Sequence, residues 1–222
     1  MEKLPKINII YEDNHLLVVE KPINIPVCED ETKDLDLLTI LKKYIKEKYN
    51  KPGNVYLGLV HRLDRPVGGI MVFAKTSKAA SRLSNQVREK KLNKVYYAIV
   101  ENKLKKEDTL KDYLIKNEKT NITTVTNKEK GKEAILEYKV IDTKDNLNLI
   151  KINLITGRSH QIRVQFSSRN NPLYGDQKYN KNAIPNTNIA LFAKTLEFEH
   201  PITKEKLTFK TELPKRYPFN IF

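Results

Sequence analysis

The residues best suited to chemistry lie in His61-Arg62-Leu63-Asp64-Arg65-Pro66-Val67-Gly68-Gly69, which precedes an apolar run over residues 70–74. This stretch places one carboxylate, Asp64, among two arginines and a histidine. Cationic neighbours favour the ionised form of a carboxylate, which can then act as a nucleophile or base at neutral pH. The alternative interpretation is a turn that carries ordinary surface ion pairs.

A second segment with polar groups is the predicted strand over residues 94–100, which contains Tyr96 and Tyr97. Successive side chains of a strand point to opposite faces, so only one of the two phenols can face a given site. Packing within the sheet is the alternative for either tyrosine.

The third segment, Thr156-Gly157-Arg158-Ser159-His160-Gln161-Ile162-Arg163, reads as a strand end, a glycine turn and a helix start. Backbone N–H groups together with Arg158 and Arg163 predict an anion site there. An inward-pointing Arg163 would instead pair with a buried carboxylate, for which Asp64 is the obvious candidate. A surface arginine on the helix is the third possibility.

The charge of the chain favours a polyanionic partner. Its 41 Lys+Arg against 27 Asp+Glu give a formal net charge of +14, which suits nucleic acid or an anionic membrane surface. Part of the lysine content can instead reflect a general compositional bias. Arginine is scarce, with eight residues, and in a chain that otherwise uses lysine for positive charge its presence indicates a need for a planar fork of donors. Five of the eight are Arg62, Arg65, Arg158, Arg163 and Arg169. Residues 146–196 hold seven basic residues and a single acid, Asp176, which suits contact with phosphates.

Several classes of site are excluded by composition. The single cysteine, Cys28, allows neither an internal disulfide nor a zinc-type cysteine cluster, and the four histidines are scattered without ligand spacing. The chain has no nucleotide-binding phosphate loop and no nucleophile elbow. It shows no signal peptide and no run of membrane-spanning length, so we expect a soluble, cytoplasmic protein without membrane contact.

The elements that must position these side chains follow from hydrophobic spacing and turn residues. Strands are predicted at residues 7–11, 15–20, 55–60, 69–75, 94–100, 133–141, 148–155, 189–198 and 206–210. Helices are predicted at residues 37–49, from an N-cap at Ser77 to about residue 92, and near Ser159, with an exposed hairpin or loop over 101–132. The pattern predicts one mixed α/β (α+β) domain over residues 1–222, with a mostly antiparallel sheet flanked by helices and loops.

In this order, the three polar segments resemble motifs of the RluA-type RNA pseudouridine synthases. His61-Arg62-Leu63-Asp64 with residues 69–75 resembles the family's catalytic motif, and Lys94-Val95-Tyr96-Tyr97-Ala98-Ile99-Val100 resembles its tyrosine-bearing strand. Residues 154–163 are similar to its arginine motif. Weaker similarities at residues 11–13, 21–22, 172–176, 190–193 and 200–201 extend the resemblance over nearly the whole chain.

The resemblance implies a role for each matching residue. Asp64 would attack the target uridine, so that the base detaches, rotates and rejoins through carbon, and Arg163 would be its salt-bridge partner. Tyr96 would stack near the flipped base and assist proton movement, and Arg62 would help to fill the gap that the nucleotide leaves. The residues expected to contribute to substrate binding are Arg62, His61, Arg158, His160 and Leu191. The resemblance implies tRNA, large-subunit rRNA or both as the partner, and a reaction with neither cofactor nor metal. We also expect a monomer.

The chain also departs from the family pattern. Val67-Gly68-Gly69 stands where Thr-Ser-Gly is common, so any hydroxyl contact from that turn is missing. No separate N-terminal RNA-binding domain of the S4 type is expected, so the catalytic domain itself would have to hold the RNA. Two alternatives stay open at this point. One is a catalytically silent RNA-binding protein on the same scaffold, and the other is a small hydrolase with Asp64 as nucleophile.

Overall fold

The computed structural model describes residues 5–222, and this part of the chain divides into two compact units. The first unit contains the described residues up to Leu92 together with Thr195–Thr211, and the second contains Asn93–Lys194 together with Glu212–Phe222. The single domain expected for residues 1–222 stays a prediction, and residues 1–4 of it lie outside the described part of the chain.

Eleven strands and three α-helices make up the described chain. In chain order they are β1 (Asn8–Glu12), β2 (Leu16–Lys21), α1 (Leu37–Lys48), β3 (Gly58–Leu59), β4 (Gly68–Ala74), α2 (Ser77–Arg88), β5 (Asn93–Glu101), β6 (Glu107–Asn117), β7 (Ile122–Thr126), β8 (Lys132–Lys144), β9 (Leu147–Leu154), α3 (Gln161–Ser167), β10 (Leu191–Glu199) and β11 (Lys206–Lys210), followed by a 3-10 turn (Phe219–Ile221). In both units the strands pair in antiparallel fashion, which confirms the predicted mixed α/β fold with a mostly antiparallel sheet.

In the first unit, β2 pairs with β1 on one side and with β4 on the other. All seven residues of β4 are buried, as expected for an apolar strand that is covered on both faces. The segment Thr195–Glu199 of β10 pairs with β11. The core of this unit combines strand and helix residues, namely Leu16, Val18, Ile70, Val72, Ala74, Ala79, Leu83, Leu92, Leu196 and Phe198.

Helix α2 begins one residue away from the predicted cap. The side chain of Thr76, not that of Ser77, accepts the N–H of Ala79, so Thr76 is the N-cap and Ser77 is the first helical residue. The helix ends at Arg88 instead of reaching residue 92, because Lys90 takes a left-handed conformation (φ 58°). The N–H of Lys91 then bonds to the carbonyl of Gln86 at 2.8 Å and closes the helix end.

The predicted strand over residues 55–60 shrinks to the two residues of β3, which pair with Ala74 and Phe73 of β4. Tyr56, two residues before β3, is exposed to solvent and lies outside the paired segment. The loop that follows β3 leads directly into the polar stretch around Asp64.

In the second unit, β9 lies between β5 and β8, and β8 pairs with β6, which carries β7 at its outer edge. The exposed hairpin predicted within residues 101–132 is therefore present as β6 and β7. Helix α3 begins at Gln161, close to the predicted start at Ser159, and residues 161–166 of it are buried. Within residues 5–222, none of the helices is long and apolar enough to cross a membrane.

Candidate active site

Asp64 lies on a tight turn between β3 and β4 of the first unit. The N–H of Val67 bonds to the carbonyl of Asp64 at 3.0 Å, which closes a four-residue turn with Arg65 and Pro66 at its centre. Leu63 and Val67, on either side, are 6% and 2% exposed and anchor the turn in the core. Asp64 itself is half-buried. The carboxylate therefore sits on a rigid connection with access to solvent.

Lys21, the last residue of β2, forms a hydrogen bond with the backbone of this turn. It is 1% exposed, and its Nζ donates to the carbonyls of Pro22 at 2.8 Å and Arg65 at 2.9 Å. Burial lowers the pKa of Lys21 to about 7, while the Asp64 carboxylate acts in the opposite direction and Arg65 lowers it further. A buried amine thus fixes the backbone next to Asp64.

The buried amine of Lys21 predicts a specific pH dependence of stability. Its pKa is about 7 in the fold and near 10.5 when exposed, so between these values the unfolded chain binds more protons than the folded one. The contribution of Lys21 to the free energy of unfolding therefore rises with pH over this window. Relative to Lys21→Met, the wild type should gain about 2.5 kcal/mol between pH 6.5 and pH 9.

Urea denaturation of both proteins at the two pH values measures this gain, and Lys43→Met, at an exposed lysine of α1, is the control. In Lys21→Met the carbonyls of Pro22 and Arg65 lose their donor, which lowers the stability of the variant at every pH. This loss does not change how the difference in free energy of unfolding depends on pH. A difference between wild type and Lys21→Met that stays constant across the range would show that the amine remains charged in the fold.

The other charged residues of the first motif have separate partners. Arg65 donates to the Thr32 hydroxyl at 3.0 Å and forms an ion pair with Asp34, so it ties the turn to the preceding loop. Arg62 is exposed. The Nε2 of His61, a residue that is 8% exposed, accepts the N–H of Val72 at 3.2 Å, which places its ring against β4. The substrate-binding roles of His61 and Arg62 stay predictions.

In the second unit, Arg163 of α3 forms a buried bidentate pair with Asp176. Its Nε lies 2.8 Å from Oδ2 and its Nη2 lies 2.6 Å from Oδ1, and the side chains are 6% and 0% exposed. The same carboxylate accepts the N–H groups of Lys178 at 3.0 Å and Tyr179 at 3.2 Å. A guanidinium has five N–H donors, so this pairing is compatible with a second carboxylate. The predicted pairing of Arg163 with Asp64 stays a prediction.

Arg163 also contacts Tyr179, whose ring lies under the guanidinium. The guanidinium carbon lies 5.0 Å from the centre of the Tyr179 ring. The Tyr179 hydroxyl accepts the N–H of Thr123 in β7 at 2.8 Å and lies 2.7 Å from Nδ1 of His160. Burial raises the pKa of this phenol, so it stays protonated. Tyr179 therefore contacts the β6–β7 hairpin and His160 through its hydroxyl, and Arg163 through its ring.

The glycine turn before α3 is closed by its own hydrogen bonds. Oε1 of Gln161 accepts the Thr156 hydroxyl at 2.8 Å and the N–H of Arg158 at 2.9 Å, and Nε of Arg158 donates to the Glu133 carbonyl at 2.8 Å. This corrects the predicted anion site in one respect, because the Arg158 N–H is engaged by Gln161. Arg163 is likewise directed at Asp176 and lies in the interior.

Arginine pairing also differs from the expected contact with phosphates. Besides Arg65 and Arg163, Arg169 pairs with both oxygens of Asp112, at 2.8 and 3.0 Å. Three of the five arginines near the motifs therefore use the planar fork on carboxylates of the chain itself. The scarcity of arginine correctly indicated a demand for the fork, but the acceptors in these three cases are carboxylates.

The two adjacent tyrosines of β5 point to opposite faces of the strand, as the alternation of side chains along a strand requires. Tyr97 packs on a core cluster with Ile99 and Phe192, and Nζ of Lys194 lies 5.5 Å from its ring centre. Tyr96, 5% exposed, lies on the opposite face of the strand. Leu191, at the start of β10, is 4% exposed. The roles of Tyr96 and Leu191 at the base stay predictions.

Among residues 5–222, no group of three His, Cys, Asp or Glu side chains is arranged to hold a metal ion. The reaction without metal or cofactor stays a prediction.

Comparison with known proteins identifies the family. Residues 15–168 match the sequence profile described as RNA pseudouridylate synthase. An uncharacterized RNA pseudouridine synthase of Aquifex aeolicus (strain VF5) is 34% identical, over 97% of this chain and 72% of its own. The ribosomal large subunit pseudouridine synthase D of Haemophilus influenzae is 31% identical, over 96% of this chain and 69% of its own.

A solved structure, that of human RNA pseudouridylate synthase domain containing 4, has the same fold, with a TM-score of 0.79 at 21% identity over 94% of this chain and 89% of that one. The resemblance noted in the three motifs is thus confirmed by matches that extend over most of the chain. This protein belongs to the RNA pseudouridylate synthase family and is an isomerase that acts on uridine in RNA.

Proposed function

We propose that this enzyme isomerises specific uridines of large-subunit rRNA, or of tRNA, with Asp64 as the nucleophile. The observation that carries the proposal is the turn of Asp64, which is anchored by buried neighbours and lies beside the buried amine of Lys21. Two relatives, from Buchnera aphidicola and Haemophilus influenzae, are named ribosomal large subunit pseudouridine synthases C and D, which favours rRNA as the first substrate to test.

The chemistry needs no other reactant. Uridine and pseudouridine have the same atoms, since the base leaves the sugar through nitrogen and rejoins it through carbon. One C–N bond breaks, one C–C bond forms, and a proton moves from that carbon to a nitrogen. Neither oxidant nor co-substrate is consumed. A carboxylate nucleophile and a group that moves a proton are sufficient, and Asp64 and Tyr96 are proposed for these two roles.

The RNA must present the base outside its helical stack. Extruding a nucleotide costs a few kcal/mol, which contacts with the phosphate backbone and a stacking side chain can offset. The net charge of +14 supports binding to RNA of either class. We propose Arg62 as the group that occupies the vacated position in the stack, with Arg158 and His160 near the strand that carries the base.

The direct test is incubation of the purified protein with unmodified transcripts of large-subunit rRNA and of tRNA, followed by digestion and quantification of pseudouridine. We expect product at few positions, and first on rRNA. Tight binding without product on any cellular RNA would favour the catalytically silent alternative. Sequencing of pseudouridines in a strain that lacks the gene would then identify the uridine.

A further inference from the structure

Lys94, at the start of β5, is a partly buried cation without a carboxylate nearby. Burial alone lowers its pKa, and no neighbouring charge contributes. Its Nζ lies against the glycine turn, 3.3 Å from where a Cβ on Gly157 would stand. Among residues 5–222, no side chain or carbonyl forms a hydrogen bond or ion pair with this ammonium.

Other enclosed cations of the chain are compensated. Arg163 faces both oxygens of Asp176, and Lys75 contacts Glu12 at 2.8 Å. Lys21 donates to two carbonyls. Burying a charge without a partner costs free energy, so an uncompensated cation of this kind is typical of a position where a ligand supplies the opposite charge.

The strand geometry relates Lys94 to the proposed base-stacking residue. Lys94 and Tyr96 are two positions apart on β5, so their side chains leave the same face of the strand about 6.6 Å apart. A sugar-phosphate attached to a base near Tyr96 lies within reach of an ammonium at that spacing. The glycine turn packs against the ammonium on one side, while Lys94 as a residue is only partly buried and keeps some contact with solvent.

We propose that Lys94 binds a backbone phosphate of the RNA strand whose uridine stacks near Tyr96. The ammonium supplies up to three donors, and the phosphodiester oxygens supply the acceptors that the chain does not. The contact positions the strand without reading its sequence. This inference rests on the proposed function for the nature of its ligand, because the phosphate belongs to the RNA substrate.

The test compares Lys94→Met with Lys139→Met, which removes the same charge from an exposed position on β8. Binding to the large-subunit rRNA and tRNA transcripts is measured over a series of salt concentrations, in the Asp64→Asn background so that no turnover occurs. For Lys94→Met we expect about tenfold weaker binding and a salt slope reduced by about 0.7 to 1. Lys139→Met should change either quantity by less than about twofold.

Two further measurements separate binding from a structural role. Thermal unfolding of Lys94→Met should be unchanged or shifted upward, since the variant removes a desolvated charge. Lys94→Arg should recover most of the affinity, because a guanidinium also binds phosphate. Unchanged affinity and salt slope in Lys94→Met, an equal loss in Lys139→Met, or lowered stability with normal binding would each overturn the proposal.

The binding experiment tests the Lys94 contact whether or not the protein forms pseudouridine. If the wild type forms no pseudouridine on either transcript, the proposed function fails, while the binding series still decides whether Lys94 contacts phosphate. If the wild type is active and Lys94→Met binds and reacts like it, the Lys94 contact fails alone.

Discussion

Asp64→Asn is expected to abolish pseudouridine formation, with a loss of about 10⁴-fold or more, while RNA binding changes little. The amide has almost the same shape as the carboxylate but carries no charge and cannot attack a sugar or a base. The turn is held by the backbone bond from Val67 to the Asp64 carbonyl and by the bond from Lys21 to the Arg65 carbonyl, and neither uses the altered side chain. The variant therefore removes the nucleophile and keeps its frame.

The measurement combines single-turnover assays on the transcript that the wild type modifies with binding of the same transcript. Asp142→Asn makes the identical chemical change at an exposed position of β8 and should retain full activity. Product formation by Asp64→Asn at more than a few per cent of the wild-type rate would remove Asp64 from the nucleophile's role. A joint loss of binding and activity would instead mean that the carboxylate is needed to hold the RNA.

The turn that carries Asp64 could be predicted from the sequence because its determinants are local. The turn of Asp64 is set by Pro66, by the glycines that follow and by an apolar strand, all within about a dozen residues. Lys21 is different. It reaches the turn because β2 and β4 pair with Lys21 opposite Gly69, and a strand register of this kind is set by tertiary packing. The only local sign of this contact in the sequence is that Lys21 ends an apolar strand and precedes a proline.

The buried pair of Arg163 and Asp176 could not be predicted in the same way. Arginine scarcity pointed to Arg163, and Asp176 was noticeable as the single acid among residues 146–196, yet nothing in the spacing pairs them. The pairing depends on how the irregular segment after α3 folds back. At Gly175 (φ 69°) a Cβ would lie 2.4 Å from the Asn188 carbonyl oxygen, so only glycine allows the chain to bring Asp176 beneath the guanidinium.

Asp176→Asn should be the most destabilising of the substitutions considered, because it leaves Arg163 buried without its counter-charge. Removing one partner of a buried ion pair typically costs 3 to 5 kcal/mol, so we expect the free energy of unfolding to fall by about this amount. The carboxylate also accepts the N–H groups of Lys178 and Tyr179, and the amide can replace only part of these contacts. Activity should fall as well, since the guanidinium loses the bidentate contact that orients it.

Urea denaturation and single-turnover assays measure the two effects. The matched control is Asp112→Asn, which breaks the other bidentate arginine pair, with Arg169, whose side chain is 36% exposed. Solvent already stabilises that guanidinium, so about 1 kcal/mol is expected there. Because a stability loss alone could lower activity, the assay is run at a temperature where Asp176→Asn is still folded.

The double variant Arg163→Met with Asp176→Leu distinguishes charge from packing. If the cost in Asp176→Asn comes from the uncompensated guanidinium, removing both charges should restore much of the stability while activity stays lost. This separates the structural part of the pair, which apolar side chains can replace, from any part that activity requires of the Arg163 cation. Equal instability of the double and single variants would show that packing around Tyr179, and not the charge of Arg163, determines the loss.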